Sequence, residues 1–243
     1  MADNVTFEID ASVIAAFPEV EVLALRAVIP DQAALAPVVA GQAARIEAAM
    51  AEIAAVDPIT ALPEIARWRR AYGALGVKPS KFASSIEALL RRARKGQMAD
   101  TGIPAVDLYN TVSVIHRAPM GAYDAARLSS DPLRLRQADP AADSFAPLGG
   151  DPASFPLNPE LVVYAQGAGI LCWGFNTRDS AATAVHEGSS DIVFFSETAA
   201  ADGAAAAGAA LESLAVLIGA GGGTAGPICR FSAARQAGDI SRP

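Results

Sequence analysis

Residues 161–175 read LVVYAQGAGILCWGF and contain the strongest β signal in the chain. Two apolar runs, 161–165 and 170–175, are separated by a Gly-Ala-Gly segment, which predicts two strands joined by a hairpin loop. Clusters of Ser, Asp, Pro and Gly separate these runs from other short strand-like runs, at 133–136, 182–185 and 192–195. The C-terminal half of the chain is therefore predicted to form a sheet of short strands.

The N-terminal half adds two strands, at 5–9 and 20–29, and then changes to helical patterns. The Ala-rich stretch 32–55 predicts one helix, which Asp57-Pro58 ends. Apolar residues recur at helical spacing in two further stretches, and the later part of the chain carries two more helical patterns. These four predicted helices cover 61–75, 82–93, 105–116 and 203–218. Strands, helices, strands and a helix in this order are typical of the α+β class rather than of regular βαβ alternation.

The composition predicts a large hydrophobic core and no stabilisation by a disulfide scaffold or a histidine-built zinc site. Hydrophobic residues are 52% and charged residues 19% of the 243 residues, which excludes disorder. We expect a single α+β domain over 1–243 with a frayed tail over about 227–243. Two Cys exclude a disulfide scaffold, and the widely separated His116 and His186 argue against a histidine-built zinc site. We expect neither a metal nor a cofactor.

The charge and the hydropathy of the chain bear on whether it binds nucleic acid and whether it enters a membrane. The net charge of -7 and the pI near 4.9 argue against a uniformly basic nucleic-acid binder, and no DNA partner is expected. No run approaches 18 consecutive apolar residues, and the N-terminus lacks the basic and apolar regions of a signal peptide. The sequence therefore predicts a soluble cytoplasmic protein that does not enter a membrane.

One segment is strongly basic although the chain as a whole is acidic. Residues 67–95 contain nine basic residues and a single acid, Glu87, so they carry +8 whereas the remaining 214 residues carry -15. The apolar stripes of the two helices in this segment should face inward, so the charges should face outward. Two interpretations remain open: a surface that contacts phosphates, and a solvated face with favourable helix-end charges.

Three polar segments are candidates for a ligand site, and each also has a purely structural interpretation. Asp107 and Asn110 are three residues apart on one helical face, and they either orient a ligand or mark a helix start. Residues 119–124 predict a turn that presents backbone N–H groups to a ligand, or a plain turn. Residues 173–180 place an acid, a cation and two hydroxyls together, suited to binding a polar substrate or to forming a surface turn.

These segments, in this order, resemble a known family. The matching motifs are Tyr72-Gly-Ala-Leu-Gly-Val-Lys-Pro-Ser, Ser85-Ile-Glu-Ala-Leu-Leu-Arg-Arg, Val106-Asp-Leu-Tyr-Asn, Pro119-Met-Gly-Ala-Tyr-Asp and Phe175-Asn-Thr-Arg-Asp-Ser. They are similar to the tRNA-editing (B-three/B-four) domain of the bacterial phenylalanyl-tRNA synthetase beta subunit, and more closely to its free-standing relatives. Together they span about 72–196. The resemblance implies an α+β fold with a mixed or antiparallel sheet flanked by helices.

The resemblance also implies roles for particular residues. In that family the domain hydrolyses an amino acid wrongly attached to tRNA. Asp179, or Arg178 beside it, matches a pocket acid, Asn110 matches the Asn of its motif, and Gly121 stands where the synthetase usually has a His. We therefore expect a catalytic group of Asp179, Arg178, Gly121 and Asn110. Substrate contacts are expected from Asp107, Tyr123, Asn176, Thr177 and Ser180. Contacts with tRNA are expected from Arg91, Arg92, Arg94, Lys95, Lys78 and Lys81.

Three functional hypotheses follow from the sequence. The first is a stand-alone aminoacyl-tRNA deacylase in which a positioned water attacks the ester, since no Ser–His or Cys–His arrangement is visible. The second is a protein that binds tRNA or an amino acid without hydrolysis, which the Gly at position 121 favours. The third is a small-molecule enzyme that uses the same pocket, with a basic face that is merely solvated.

Overall fold

Two β-sheets form the centre of the fold, which this computed structural model describes over residues 4–98 and 100–243. The first sheet contains β1 (Asn4–Ile9), β4 (Leu133–Gln137), β5 (Val162–Gln166), β6 (Gly169–Trp173), β7 (Arg178–Asp179) and β11 (Ala237–Ser241). Its order is β11-β1-β4-β5-β6-β7. Only β1 and β4 run parallel among these neighbours, so the sheet is mixed.

The second sheet is antiparallel. It contains β10 (Cys229–Ser232), β2 (Glu21–Val28), β8 (Asp191–Thr198) and β3 (Met120–Asp124), in that order. The short β9 (Thr224–Ala225) also pairs with β2. The longest pairing joins β2 and β8 over their full length. Since β3 has β8 as its only strand partner in this sheet, β3 is an edge strand.

The helices lie mainly in the first half of the chain and near its end. Their bounds are α1 (Ala11–Ala16), α2 (Ala36–Ala40), α3 (Ala43–Ala54), α4 (Pro63–Ala74), α5 (Ser85–Ala93), α6 (Pro104–His116) and α7 (Ala204–Ala220). Ser84 caps the N-terminus of α5, and its hydroxyl accepts a hydrogen bond from the Glu87 N–H at 3.3 Å. Arg91 and Arg92 occupy the last turn of α5, where cations interact favourably with the helix dipole.

Successive side chains of the second sheet point to opposite faces, so this sheet separates the core into two clusters. On β8, Phe195 belongs to the cluster shared with the first sheet, whereas Phe194 belongs to the cluster under α6 and α7. In the first cluster, Phe7 of β1 lies 5.6 Å from Phe195 and 4.8 Å from Phe231 between ring centroids. Trp68 of α4 closes this cluster. The second sheet is therefore packed on both faces.

The α+β class and most predicted elements are confirmed. The single predicted helix over 32–55 is wrong, because Gly41 and Gln42 separate α2 from α3 and a 3-10 turn precedes them. The predicted strand at 182–185 is reduced to one bridge, between Ala184 and Tyr123. The turn predicted at 119–124 is also wrong, since most of this segment is strand β3.

The frayed tail predicted over 227–243 is wrong as well. Strand β10 pairs with β2, and β11 pairs with β1. Phe231 and Ile240 are fully buried, so the tail contributes side chains to the core. Arg242 forms a 3.2 Å ion pair with Asp191, a carboxylate that also binds the buried Arg26. Residues 1–3, part of the segment that lacks signal-peptide features, and residue 99 lie outside the described residues.

One segment, Ala201–Ala220, is long and apolar enough to cross a membrane by length and composition alone. The sequence criterion of consecutive apolar residues missed it because Asp202, Glu212 and Ser213 interrupt the run. Its Leu211, Leu214 and other apolar side chains pack in the cluster shared with α6, β2 and β8. Core helices commonly meet the same criterion, so the expectation that the chain avoids membranes stays a prediction.

Candidate functional site

The candidate site is a cavity of about 420 Å³ between the two sheets and helices α5 and α6. Six parts of the fold contribute to its lining: α5, α6, β3, β5, the β6–β7 region and β8. Four exposed side chains of the lining form its rim: Arg92, Thr101, Leu148 and Arg178. The cavity therefore lies at the place where β7, the last strand of the first sheet, meets β3 and β8 of the second.

Asn176 is the residue that joins these elements. It follows Gly174 and Phe175, whose φ angles of 66° and 60° form the left-handed turn between β6 and β7. Its side-chain oxygen accepts hydrogen bonds from the Tyr72 hydroxyl at 3.0 Å and from the Ser85 N–H at 3.1 Å. Its side-chain nitrogen donates to Glu197 at 2.8 Å. One amide thus links α4, the start of α5 and strand β8.

Two carboxylates lie in the lining, one from each sheet: Asp179 from β7 and Glu197 from β8. Glu197 is 3% exposed and accepts hydrogen bonds from Asn176 and, at 3.2 Å, from the Tyr164 hydroxyl. Burial raises the pKa of Glu197 to about 7, against the opposing effect of these two hydrogen bonds. The negative charge of Asp179 raises the pKa of Glu197 further.

Burial also raises the pKa of Asp179, to about 6. A hydrogen bond with the Cys172 thiol and the positive charge of Arg178 oppose this rise. Cys172 is the register partner of Asp179 across β6 and β7, and burial raises the pKa of its thiol well above the usual value. Asp179 is therefore largely ionised at neutral pH beside a neutral thiol, and it can accept a hydrogen bond from a cation or from water.

The remaining wall of the cavity is aromatic and uncharged. Tyr109, Tyr123 and Tyr164 are buried, and burial raises the pKa of each hydroxyl, so all three are protonated at neutral pH. Phe175 and Phe195 complete the aromatic lining. Carboxylates surrounded by such side chains are poorly solvated, which strengthens their interaction with a positively charged or hydrogen-bond-donating ligand.

Several polar side chains in the lining form no hydrogen bond within the described part of the chain, among them Ser85 and Asn110. The hydroxyl of Ser85 is buried and unpartnered, and the side-chain amide of Asn110 likewise forms no hydrogen bond there. Both line the cavity. A ligand or a water molecule in the cavity would satisfy both groups.

Gly121 of β3 lines the same cavity, but it does not present its backbone N–H to a ligand as the predicted turn would. The N–H of Asp124, on the same strand, donates to Thr183 on the side away from β8. Since N–H directions alternate along a strand, the Gly121 N–H points toward β8, where Gly121 pairs with Phe195. A Cβ placed at Gly121 would meet no atom within 4 Å. Gly121 thus leaves open space rather than a free backbone donor.

Seven of the nine residues predicted for catalysis and substrate contact line this single cavity: Asp179, Arg178, Gly121, Asn110, Tyr123, Asn176 and Thr177. The other two do not. Asp107 accepts hydrogen bonds from the Thr101 N–H and hydroxyl at 2.9 and 2.7 Å, which fixes the first turn of α6, so its structural interpretation applies. Ser180 is buried, and its hydroxyl accepts a hydrogen bond from the Ala182 N–H.

The predicted tRNA contacts fall into two groups. Arg91 pairs with the buried Glu87 at 2.8 Å, and Arg94 lies 3.4 Å from Asp57. Arg92, Lys95, Lys78 and Lys81 are exposed and form no ion pair among the described residues. Arg92 is the one member of the set that lines the cavity. A second recess of about 300 Å³, lined by Ile59, Arg91, Arg94 and Lys95, lies on the same basic face.

Sequence reasoning missed several residues of the site. Glu197, Ser85 and Cys172 were not selected as site residues. For Glu197 a signal existed: Val193, Phe195 and Glu197 alternate on one face of a strand, so extending the predicted strand by two residues would have placed this acid beside Phe195. No local signal distinguishes Ser85, because its position depends on contacts with Asn176.

Fold and site together define an α+β domain with a polar cavity between two sheets and a cationic helix at the rim of that cavity. Residues 67–212, more than half of the chain, match the model of the B3/4 domain family. The chain therefore belongs to the family of the phenylalanyl-tRNA synthetase beta-subunit B3/B4 domain. Every residue that lines the cavity lies within the matched segment. A search of curated proteins found no match.

Proposed function

We propose that the protein is a trans-acting aminoacyl-tRNA deacylase, which hydrolyses the ester bond of mischarged aminoacyl-tRNA with a positioned water. The observation that carries this proposal is one cavity that combines an ionisable carboxylate, unpartnered polar groups and a cation at its rim. Family membership supports a role connected with tRNA. The proposed role places the protein in the cytoplasm, with aminoacylated tRNA as its partner.

The residues have separate tasks in this reaction. Asp179 binds the ammonium group of the aminoacyl ester, and the aromatic walls enclose its side chain. The Asn110 amide donates a hydrogen bond to the ester carbonyl, where negative charge develops. The Ser85 hydroxyl holds the attacking water, and Arg92 and Arg178 contact phosphate or carbonyl groups at the rim. These tasks require positioning only, with no side-chain nucleophile.

The bond changes are those of ester hydrolysis. The water oxygen adds to the carbonyl carbon, and the bond between that carbon and the ribose oxygen breaks. The ribose oxygen takes up a proton, with the neighbouring ribose hydroxyl available to relay it. The products are a free amino acid and a tRNA with its terminal hydroxyl restored.

One observation favours a second candidate, a protein that binds the aminoacyl end without hydrolysis. The space beside Gly121 is open, whereas the synthetase domain that the sequence resembles usually has a His at this position. A His there would supply a further polar group next to the ester. The third hypothesis, a small-molecule enzyme, requires that the exposed cations of the rim have no RNA partner.

A panel of mischarged tRNAs tests the proposal. The purified protein is incubated with each aminoacyl-tRNA, and the released amino acid is measured against a buffer control and against Asp179→Asn. We expect faster release for at least one tRNA with the wild-type protein and a strongly reduced rate with the variant. Binding without release would support the second candidate, and absence of RNA affinity at low salt would support the third.

A further inference from the structure

A cluster of partly exposed aromatic side chains lies next to the rim of the cavity. Phe82, Phe145 and Phe155 form this cluster, which we call the aromatic platform. The centroid of the Phe155 ring lies 6.1 Å from that of Phe82 and 5.7 Å from that of Phe145. Trp173 of β6 supports the platform from below, 4.6 Å from Phe82, and its indole N–H donates to Pro156. The three rings come from loop residues and pack against a side chain of a strand.

Two cations lie over the rings of the platform. The Lys81 ammonium is 5.0 Å from the centroid of Phe82, and the Arg178 guanidinium is 5.8 Å from that of Phe155. Lys81 and Arg178 are exposed, and neither forms an ion pair among the described residues, as is also true of the nearby Lys78. The surface therefore presents aromatic rings with cations over two of them.

The platform is continuous with the cavity. Arg178 lines the cavity and covers Phe155, and its guanidinium donates a hydrogen bond to the carbonyl of Leu148. The Leu148 side chain is 49% exposed at the rim, one of two large apolar side chains that are exposed in the described residues. The Leu148 N–H donates to the backbone carbonyl of Asp179 at 2.7 Å. A chain crossing the platform would thus arrive directly at Asp179.

We infer that the aromatic platform binds the unpaired nucleotides at the 3′ end of an RNA and guides that end into the cavity. Unstacked bases stack on aromatic rings and guanidinium planes, while lysines and arginines neutralise the phosphates between them. A lipid surface would need a broader exposed apolar area than the single Leu148 supplies here. Paired RNA has no free base faces, so the platform distinguishes an RNA with a single-stranded tail from a blunt one.

The choice of RNA as the partner rests on the proposed function. The test measures RNA binding and does not require catalysis. Two labelled RNA hairpins share one stem; one carries four unpaired 3′ nucleotides and the other is blunt. Fluorescence anisotropy gives the affinity of each for the wild-type protein. We expect the tailed hairpin to bind about tenfold more tightly, a difference of about 1.4 kcal/mol.

Three variants test the platform and the side chains beside it: Lys81→Ala, Phe155→Leu and Leu148→Ser. Phe155→Leu and Leu148→Ser should reduce the preference for the tailed hairpin several-fold and leave binding of the blunt hairpin within about twofold, since neither removes a charge. Lys81→Ala removes a charge and should weaken binding of both hairpins, with the larger loss for the tailed one. Leu148→Ser changes an exposed side chain and tests the rim without affecting the core. Arg235→Ala is the matched control, because Arg235 is exposed and lies 5.4 Å from the Phe231 ring elsewhere on the molecule.

Equal affinity of the wild-type protein for both hairpins would overturn the inference, as would a preference that survives all three variants. Tighter binding to vesicles of phosphatidylcholine and phosphatidylserine than to either RNA would assign the platform to lipid and also overturn it. The two proposals fail separately. A preference for the tailed hairpin without deacylation contradicts only the proposed function, and deacylation without that preference contradicts only the platform.

Discussion

Replacing Asn176 by Ala removes the side-chain hydrogen bonds that hold the cavity together. Two partners lose their hydrogen bond to residue 176, the Tyr72 hydroxyl and the Glu197 carboxylate, whereas the Ser85 N–H keeps a 3.1 Å hydrogen bond to the backbone carbonyl of that residue. A neutral hydrogen bond contributes about 1 kcal/mol and one to a charged group about 2 kcal/mol, so the free energy of unfolding should fall by about 3 kcal/mol. For a chain of this length, this corresponds to a decrease in Tm on the order of 10 °C.

Chemical and thermal denaturation, followed by circular dichroism, measure this change. Asn158→Ala is the matched control, since the Asn158 side chain accepts only a local hydrogen bond, from the Glu160 N–H. We expect the control to lose less than about 1 kcal/mol. A loss in Asn176→Ala no larger than in the control would show that the amide does not join the two sheets, and the account of the cavity would be wrong.

Asn176→Asp separates the loss of the donor from the loss of the side chain. This variant keeps both acceptor contacts but places a second carboxylate 2.8 Å from an oxygen of Glu197. At neutral pH the variant should be at least as unstable as Asn176→Ala, because two buried carboxylates repel each other. Near pH 5 protonation restores a donor, so the variant should regain much of its stability. Equal stability at both pH values would contradict this reasoning.

Three further predictions follow from the same site. Burial raises the pKa of the Glu197 carboxyl from 4.5 to about 7 in the native state. Between these two pH values the native state keeps the carboxyl proton and the unfolded state loses it. The free energy of unfolding therefore falls as the pH rises from about 4.5 to about 7. Glu197→Gln should flatten that decrease in urea denaturation measured from pH 5 to pH 7.5. Gly121→Ala should raise Tm or leave it unchanged, since its Cβ enters open space; a decrease of several degrees would show that the space is filled. Arg92→Ala should weaken RNA binding and reduce the slope of log K against log salt by about one, whereas Arg91→Ala should mainly lower stability, because it removes a partner of the buried Glu87. Equal salt slopes for Arg92→Ala and the wild type would remove Arg92 from the interface.

The fold could be predicted largely from hydrophobic periodicity. The hairpin of β5 and β6 follows from two apolar runs and a Gly-Ala-Gly loop, and the helical faces of α4 and α5 follow from their spacing. Strand β3 was missed because Pro119 and Gly121 are typical of turns, and its pairing with the distant β8 overrides that local preference. The C-terminal strands were missed for a similar reason, since each is short and pairs with strands near the N-terminus.

The residues of the site could be predicted where they are neighbours in the sequence. The segment 173–180 was selected for its density of polar groups, and four of its polar members line the cavity: Asn176, Thr177, Arg178 and Asp179. Asp107 was selected on local grounds too, but it accepts hydrogen bonds from Thr101 in the first turn of α6. Which of two polar residues on one helix faces a cavity depends on how the helix packs. Spacing alone does not determine this.

The two carboxylates give the strongest argument that the cavity is a functional site. Asp179 and Glu197 come from different sheets, and neither forms an ion pair among the described residues. Burial raises both pKa values, so ionisation of each carboxylate lowers the stability of the native state at neutral pH. A Gln at position 197 would accept a hydrogen bond from Tyr164 without that loss. Groups that lower stability and line a cavity beside an exposed cation are typical of sites that bind or transform a ligand.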